Sequence, residues 1–269
     1  MVFYHTFNRP VMKKPLRNQG SAKITGLFFY RGKMKTAILV DGGYYKRRAW
    51  HYAGEKTPLE RANELESYCR KHLRNRDAYT VDEKKQKHYL YSDLYRIFYY
   101  DCEPVTKNVY HPFLKRNIDF SKQPTFKWMN DFLDCLKEKR KFALRLGFLS
   151  ADEASYTLNN ATLKKLFREE ITLDDITEKD FEVSIRQKGV DMKIGLDIAS
   201  LAYKKQVDQI VLIAGDSDFV PAAKLARREG IDFILDPMGN KVNSNLFEHI
   251  DGLRSNYKSL QKEKCKTEE

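Results

Sequence analysis

The 269-residue chain has only four cysteines, Cys69, Cys102, Cys135 and Cys265, with no CxxC pair among them. That spacing excludes the usual structural zinc sites and leaves free thiols in a reducing cytoplasm as the expected state. The six histidines form no HExxH motif and none adjoins an acidic motif, which argues against zinc hydrolase chemistry. There is no GxxxxGK(S/T) and no GxGxxG, so nucleotide-cradling loops are absent. No apolar run reaches membrane-spanning length, and Ile24–Tyr30 is too short and polar for a secretory core. No membrane partner is therefore expected.

Hydrophobic content of 42% and charged content of 32% fit a soluble globular protein. A net charge of +12 and a pI near 9.3 favour polyanionic partners, nucleic acid first. Seven of the basic residues lie in residues 1–33, which hold no acid, so the rest of the chain carries only +5. Residues 1–33 lack periodicity and read as a flexible basic leader.

One domain is expected over residues 34–256, with insertions at about 53–90 and 105–180 and a charged, loose tail over 257–269. Thr36–Val40 (TAILV), ending at Asp41-Gly42-Gly43, reads as a buried parallel strand stopped by glycines. A helix from Tyr44 to Tyr52 follows. The segment from Pro58 to Arg76 is helical in pattern, with Leu59, Ala62, Leu65, Cys69 and Leu73 on one face. Residues 77–88 read as a polar loop. Leu94–Tyr100 is a second strand ending in Asp101, and Glu103–Lys127 is irregular. Helices are expected at Phe126–Arg140 and Leu158–Glu170, with short strands at Leu144–Leu149 and Phe181–Arg186. Asp191 sits in the first turn of a helix running to Lys204, where the helix dipole favours an anion. Gln209–Pro237 then gives strand, turn, amphipathic helix and strand, with Asp216 and Asp218 at the turn, and Ser244–His249 is a last short helix. Strands alternating with helices predict an α/β fold with a mainly parallel central sheet.

Parallel topology directs Asp41, Asp191, and Asp216 with Asp218 to one edge of such a sheet. Clustered carboxylates repel one another, and a divalent cation relieves that repulsion. Magnesium and manganese suit oxygen ligands, and either can activate water and stabilise the leaving oxygen of a phosphodiester. Caps and turns are the competing role for any one of these aspartates.

The segments AILVDGGYY (Ala37–Tyr45), FYYDCEP (Phe98–Pro104), KGVDMKIGLDIASLA (Lys188–Ala202), VLIAGDSDFVPAAKLARREGIDFIL (Val211–Leu235) and VNSNLFEHID (Val242–Asp251) together resemble the NYN domain, the LabA-like branch of PIN-like nucleases. The resemblance implies a three-layer α/β/α PIN-like (Rossmannoid) fold with helical insertions. It also implies a metal-dependent ribonuclease site using Mg²⁺ or Mn²⁺ on RNA, single-stranded or structured. Carried over by motif, Asp41, Asp191 and Asp216 would be metal ligands, and Asp218 would complete the acidic rim or orient water. Asp197 also matches a family position, but six residues after Asp191 it lies about 240° round the helix, so a structural pairing is expected there. Asp101 and Glu182 are candidate outer members. The chain departs from the commonest family pattern at Gly43-Tyr44, where many members carry an asparagine; this bears on substrate more than on metal binding.

Two alternatives remain at this level. One is a non-catalytic RNA-binding or protein-interaction module on the same fold, with self-association open. The other is a haloacid-dehalogenase-like phosphatase, which needs an aspartate where Gly43 stands. Around the acidic turns, Lys46, Arg47, Arg48, Arg186, Lys188, Arg227 and Arg228 could bind phosphates, although Arg227 and Arg228 sit near the far end of their helix, where a solvated, dipole-satisfying role is the stronger reading. The aromatic–basic stretch Tyr110–Trp128 could stack single-stranded bases or pack a small core of its own.

Overall fold

TAILV shows no polar–apolar alternation because both faces of the strand it forms are covered. Ile38 and Val40 join one buried cluster, while Ala37 and Leu39 join another on the opposite side. The computed structural model describes residues 33–81, 87–150 and 154–264. All of these fall within one unit that begins at Lys33. The expected leader, apart from Lys33, and Cys265 lie outside the described residues.

In chain order the elements begin with β1 (Lys35–Asp41), α1 (Gly42–Ala53), α2 (Pro58–Lys71), β2 (Arg74–Val81), β3 (Lys87–Tyr91) and β4 (Asp93–Cys102). Next come β5 (Asn108–His111), β6 (Arg116–Asp119), α3 (Pro124–Lys137), β7 (Phe142–Leu149), β8 (Ser155–Leu158), α4 (Asn160–Phe167), β9 (Phe181–Ser184) and β10 (Gln187–Lys188). The chain continues through α5 (Val190–Tyr203), β11 (Gln209–Ile213), α6 (Val220–Arg228), β12 (Asp232–Asp236), α7 (Ser244–Phe247), β13 (Gly252–Leu253) and α8 (Lys258–Lys264).

The main sheet has the order β10-β7-β4-β1-β11-β12-β13. Every neighbouring pair in it is parallel except β10 with β7. One face carries α1, α2, α3 and α8 through Tyr45, Ala49, Leu65, Tyr68, Phe132, Leu136 and Leu260. The other carries α5, α6 and α7 through Ile194, Ile198, Ala223, Ala226 and Leu246. This is the expected three-layer α/β/α arrangement. After β1 the chain lays β4 and then β7 to one side; it returns across β1 to lay β11, β12 and β13 on the other. The strand order therefore reverses between β1 and β11, and open α/β sheets bind ligands in the crevice beyond the carboxyl ends of strands at such a point.

Several local expectations are corrected. The helix starting at Pro58, held by a Thr57–Glu60 capping box with Pro58 in the first turn, ends at Lys71 instead of Arg76, because the chain is already strand at Arg74. Leu59, in its first turn, stays 58% exposed; the buried face is instead completed by Tyr68 and by a polar group of Arg61 and Glu64. The expected polar loop over 77–88 is largely taken up by the antiparallel pair β2–β3, which begins before it and ends after it. Its β-prone triplets, Tyr79-Thr80-Val81 and Tyr89-Leu90-Tyr91, were outweighed by the charged residues between them. The irregular segment 103–127 contains the hairpin β5–β6, and the pair β8–β9 precedes and follows α4. These insertions build a small aromatic core, with His111 4.2 Å from Tyr156 and 5.2 Å from Phe181 between ring centroids. The tail expected to be loose includes α8, whose Leu260 is buried against the helices of the first face.

Candidate active site

Asp41 ends β1 and caps α1, its Oδ1 accepting the Tyr44 backbone N–H at 3.0 Å. Burial pushes its carboxyl above the usual range, the Tyr44 N–H opposes this, and the negative charges of Asp191 and Asp101 push it further up. Its neighbour Gly42 allows a close approach that no other residue would: a Cβ there would lie 2.5 Å from the Tyr99 hydroxyl and 2.6 Å from Asp101 Oδ2.

Asp101 is buried at the end of β4, one strand over. It accepts hydrogen bonds from the Tyr99 hydroxyl (2.7 Å) and the Cys102 N–H (2.8 Å), and pairs with the Lys46 ammonium at 2.7 Å. Period-two alternation puts Tyr99 and Asp101 on the same face of β4 and Tyr100 on the opposite one. Tyr100 accordingly reaches α5, where its hydroxyl donates to Asp197 at 2.8 Å, and Arg145 Nε donates to the same carboxylate oxygen at 2.9 Å. Asp197 has the structural pairing expected of it.

Asp191 lies in the first turn of α5, which opens after Gly189 in the left-handed conformation (φ 84°). Its carboxyl is pushed up by burial, then by Asp216, then by Asp218. Asp216 and Asp218 follow β11, and Asp216 Oδ1 accepts the Asp218 N–H at 3.1 Å. At Gly215 a Cβ would run into the Tyr44 ring, so the turn carrying Asp216 packs directly on the helix that Asp41 caps.

Asp41 and Asp216 follow the neighbouring strands β1 and β11, and charge links the acids pairwise: Asp191 acts on Asp41, and Asp216 and Asp218 act on Asp191. Their hard oxygen donors suit Mg²⁺ or Mn²⁺. Among the described residues, no group of three or more His, Cys, Asp or Glu side chains is arranged to hold a metal ion. The other candidates separate from the site. Glu182 is exposed on β9, in a different sheet. Arg227 is committed to Asp251 (2.9 Å) and the Glu248 carbonyl (3.1 Å).

The structure sorts three further residues. Lys46 was read as a phosphate contact, whereas it neutralises Asp101. Gln187 was not considered, yet its amide lies 3.6 Å from where a Gly43 Cβ would stand, beside Asp41 Oδ1 at 3.5 Å. Asp236 also ends a strand. It is fully buried and consumed by Tyr68, His72 at 2.8 Å and the Met238 N–H at 2.7 Å, so it is structural.

The model of the NYN domain family matches residues 106–246, just over half of the chain. The chain belongs to the NYN domain family. NYN domains are part of the PIN-like superfamily and are generally nucleases. The match spans Asp191, Asp197, Asp216 and Asp218 and takes in residues 106–180, read from the sequence as an insertion; Asp41 and Asp101 precede it. The phosphatase alternative gives way to this assignment. Among solved structures, a protein of unknown function from Vibrio parahaemolyticus RIMD 2210633 is similar to this NYN chain at 14% identity and a TM-score of 0.39, covering 83% of this chain and 93% of that one. No curated protein matches. No helix among the described residues is long and apolar enough to cross a membrane.

Proposed function

We propose that this NYN domain is a divalent-metal-dependent ribonuclease whose site is formed by Asp41, Asp191, Asp216 and Asp218. The observation that supports the reading is the pairwise charge influence among these carboxylates, two of which follow β1 and β11, where the strand order reverses. Burial and neighbouring negative charges push the carboxyls of Asp41 and Asp191 up, and like charges held close together are costly unless a cation joins them. Asp41, Asp191 and Asp216 would hold Mg²⁺ or Mn²⁺, with Asp218 completing the rim. When bound, the ion supplies the charge that lowers the pKa of water and stabilises the leaving oxygen.

The chain's own residues provide the rest. Asp41 is oriented by its bond to the Tyr44 N–H, and Asp216 by its bond to the Asp218 N–H. Asp101 is neutralised by Lys46 and so adds little repulsion toward an incoming phosphate. Arg47, exposed on α1 close enough to Asp41 to affect its charge, is placed to contact a flanking phosphate. The free thiols of Cys69, Cys102 and Cys135 fit a reducing compartment, and we place the protein in the cytoplasm.

Purified protein is expected to cleave RNA with Mg²⁺ or Mn²⁺ and not in EDTA. Asp216→Asn should lower the rate by at least about a hundredfold, while circular dichroism stays unchanged. Equal cleavage by wild type and variant would overturn the proposal. RNA binding without metal-dependent cleavage would leave the non-catalytic alternative standing.

A further inference from the structure

A cleft of about 940 Å³ opens beside Asp101 and extends between α1, the start of α3 and the segment around β8 and β9. Its volume is at the upper end of ligand-binding pockets, which run about 300–1,000 Å³. Aromatic walls come from Trp50, Phe126, Trp128 and Tyr156, and cations from Lys46 and Arg47.

Within this cleft the two tryptophans differ. The Trp128 indole donates to the Lys56 carbonyl at 2.9 Å and stacks on Phe132, with centroids 5.1 Å apart and planes at 19°. Trp128 is thus a fixed wall. Trp50 is 60% exposed, and among the described residues its ring has no aromatic neighbour and its indole no acceptor. A large apolar ring left open to water on a stable helix, at the mouth of a cleft, is a surface that another flat ring would cover. Lys46 and Arg47 precede Trp50 by four and three residues and so lie on the same face of α1. Arg47 is exposed and makes no ion pair among the described residues. A cation one helical turn from an open indole offers a charge contact and a stacking face side by side, the two contacts that a single-stranded nucleotide presents through its phosphate and base. Lys46 and its partner Asp101 both line the cleft, and Asp101 ends β4, the strand beside β1, which ends in Asp41.

We propose that this cleft is a base-stacking subsite for single-stranded RNA, in which Trp50 receives an unpaired base next to the nucleotide at the acidic site and Arg47 contacts its phosphate. In duplex RNA the base faces are already stacked and paired, so the subsite selects for single strands. The choice of RNA rests on the ribonuclease reading; the stacking geometry does not.

Trp50 and Trp128 are the only tryptophans in the chain, so tryptophan fluorescence, excited selectively over the tyrosines, reports on the cleft alone. The test titrates the full-length chain in EDTA with a short single-stranded oligoadenylate, and with the same strand annealed to oligouridylate. The single strand should quench the fluorescence and the duplex should not. Trp50→Ala, folded by circular dichroism, should weaken single-strand affinity about tenfold by anisotropy of a labelled strand, and Trp50→Phe should restore most of it. Unchanged affinity in Trp50→Ala, equal quenching by the duplex, or no binding of the single strand would each overturn the proposal. Metal-dependent cleavage that survives Trp50→Ala at full rate would remove this subsite and spare the nuclease reading. Trp50-dependent binding without any cleavage would do the reverse.

Discussion

The Lys46 ammonium and the Asp101 carboxylate lie 2.7 Å apart, joining the second turn of α1 to the end of β4 with the carboxylate only 3% exposed. The pair lines the aromatic cleft, and there the chain itself neutralises an acid that raises the proton affinity of Asp41. Lys46→Met would leave a buried carboxylate with only the Tyr99 and Cys102 donors. Breaking a buried pair typically costs about 3–5 kcal/mol, and the remaining donors together with the 28% exposure of Lys46 reduce this to about 2 kcal/mol. Urea unfolding should show that loss at an unchanged denaturant slope, and Lys46→Arg should recover most of it. A loss below about half a kilocalorie would mean that the carboxylate is solvated without Lys46.

Asp41 and Asp191 both have carboxyls raised above the usual value of 3.8. A group that binds its proton more tightly in the folded state stabilises the fold below its unfolded pKa, and this contribution is lost as pH rises through the higher folded value. In EDTA the two aspartates should therefore lower stability progressively as pH climbs from about 4 toward neutrality. Asp191→Asn should melt higher than wild type at neutral pH, by roughly 1–3 °C, and the difference should vanish near pH 4. Magnesium should raise the melting temperature of wild type more than that of the variant. A variant less stable than wild type in EDTA at neutral pH would mean that the carboxylates do not repel.

Asp197 provides the contrast. Its carboxylate takes the Tyr100 hydroxyl and Arg145, away from the acidic edge. Asp197→Ala should cost about 1–3 kcal/mol through the donors left unpaired, while RNA cleavage per folded molecule stays close to wild type. A loss of cleavage comparable to that of Asp216→Asn, in a variant that is still folded, would place Asp197 in the site.

How much could be read in advance depends on whether the signal was local. Apolar runs such as Thr36–Val40 and Ile210–Ala214, each closing on a turn with an aspartate, mark buried parallel strands without ambiguity, since only a strand covered on both faces needs so many β-branched and apolar residues in sequence. Asp197 was separated from Asp191 by helical periodicity alone. The pair β2–β3 was hidden by its charged neighbours, and α8 by a tail in which Leu260 is the only strongly apolar residue after Leu253. Both depend on pairing or packing partners far away in the chain.

The acids of the candidate site, Asp41, Asp191, Asp216 and Asp218, were determined by the sequence itself, because strand ends and helix starts are local features and parallel topology sends them to one edge. Tertiary structure decided which of the similar strand-end acids stay available. Asp101 and Asp236 end strands just as Asp41 does, but the first is consumed by Tyr99 and Lys46 and the second by Tyr68 and His72. Tertiary structure also brought Trp50, Phe126 and Tyr156, from three separate elements, to a single cleft. Whether a charge is repelled or neutralised, and whether a ring is covered or open, depends on neighbours brought together only by the fold.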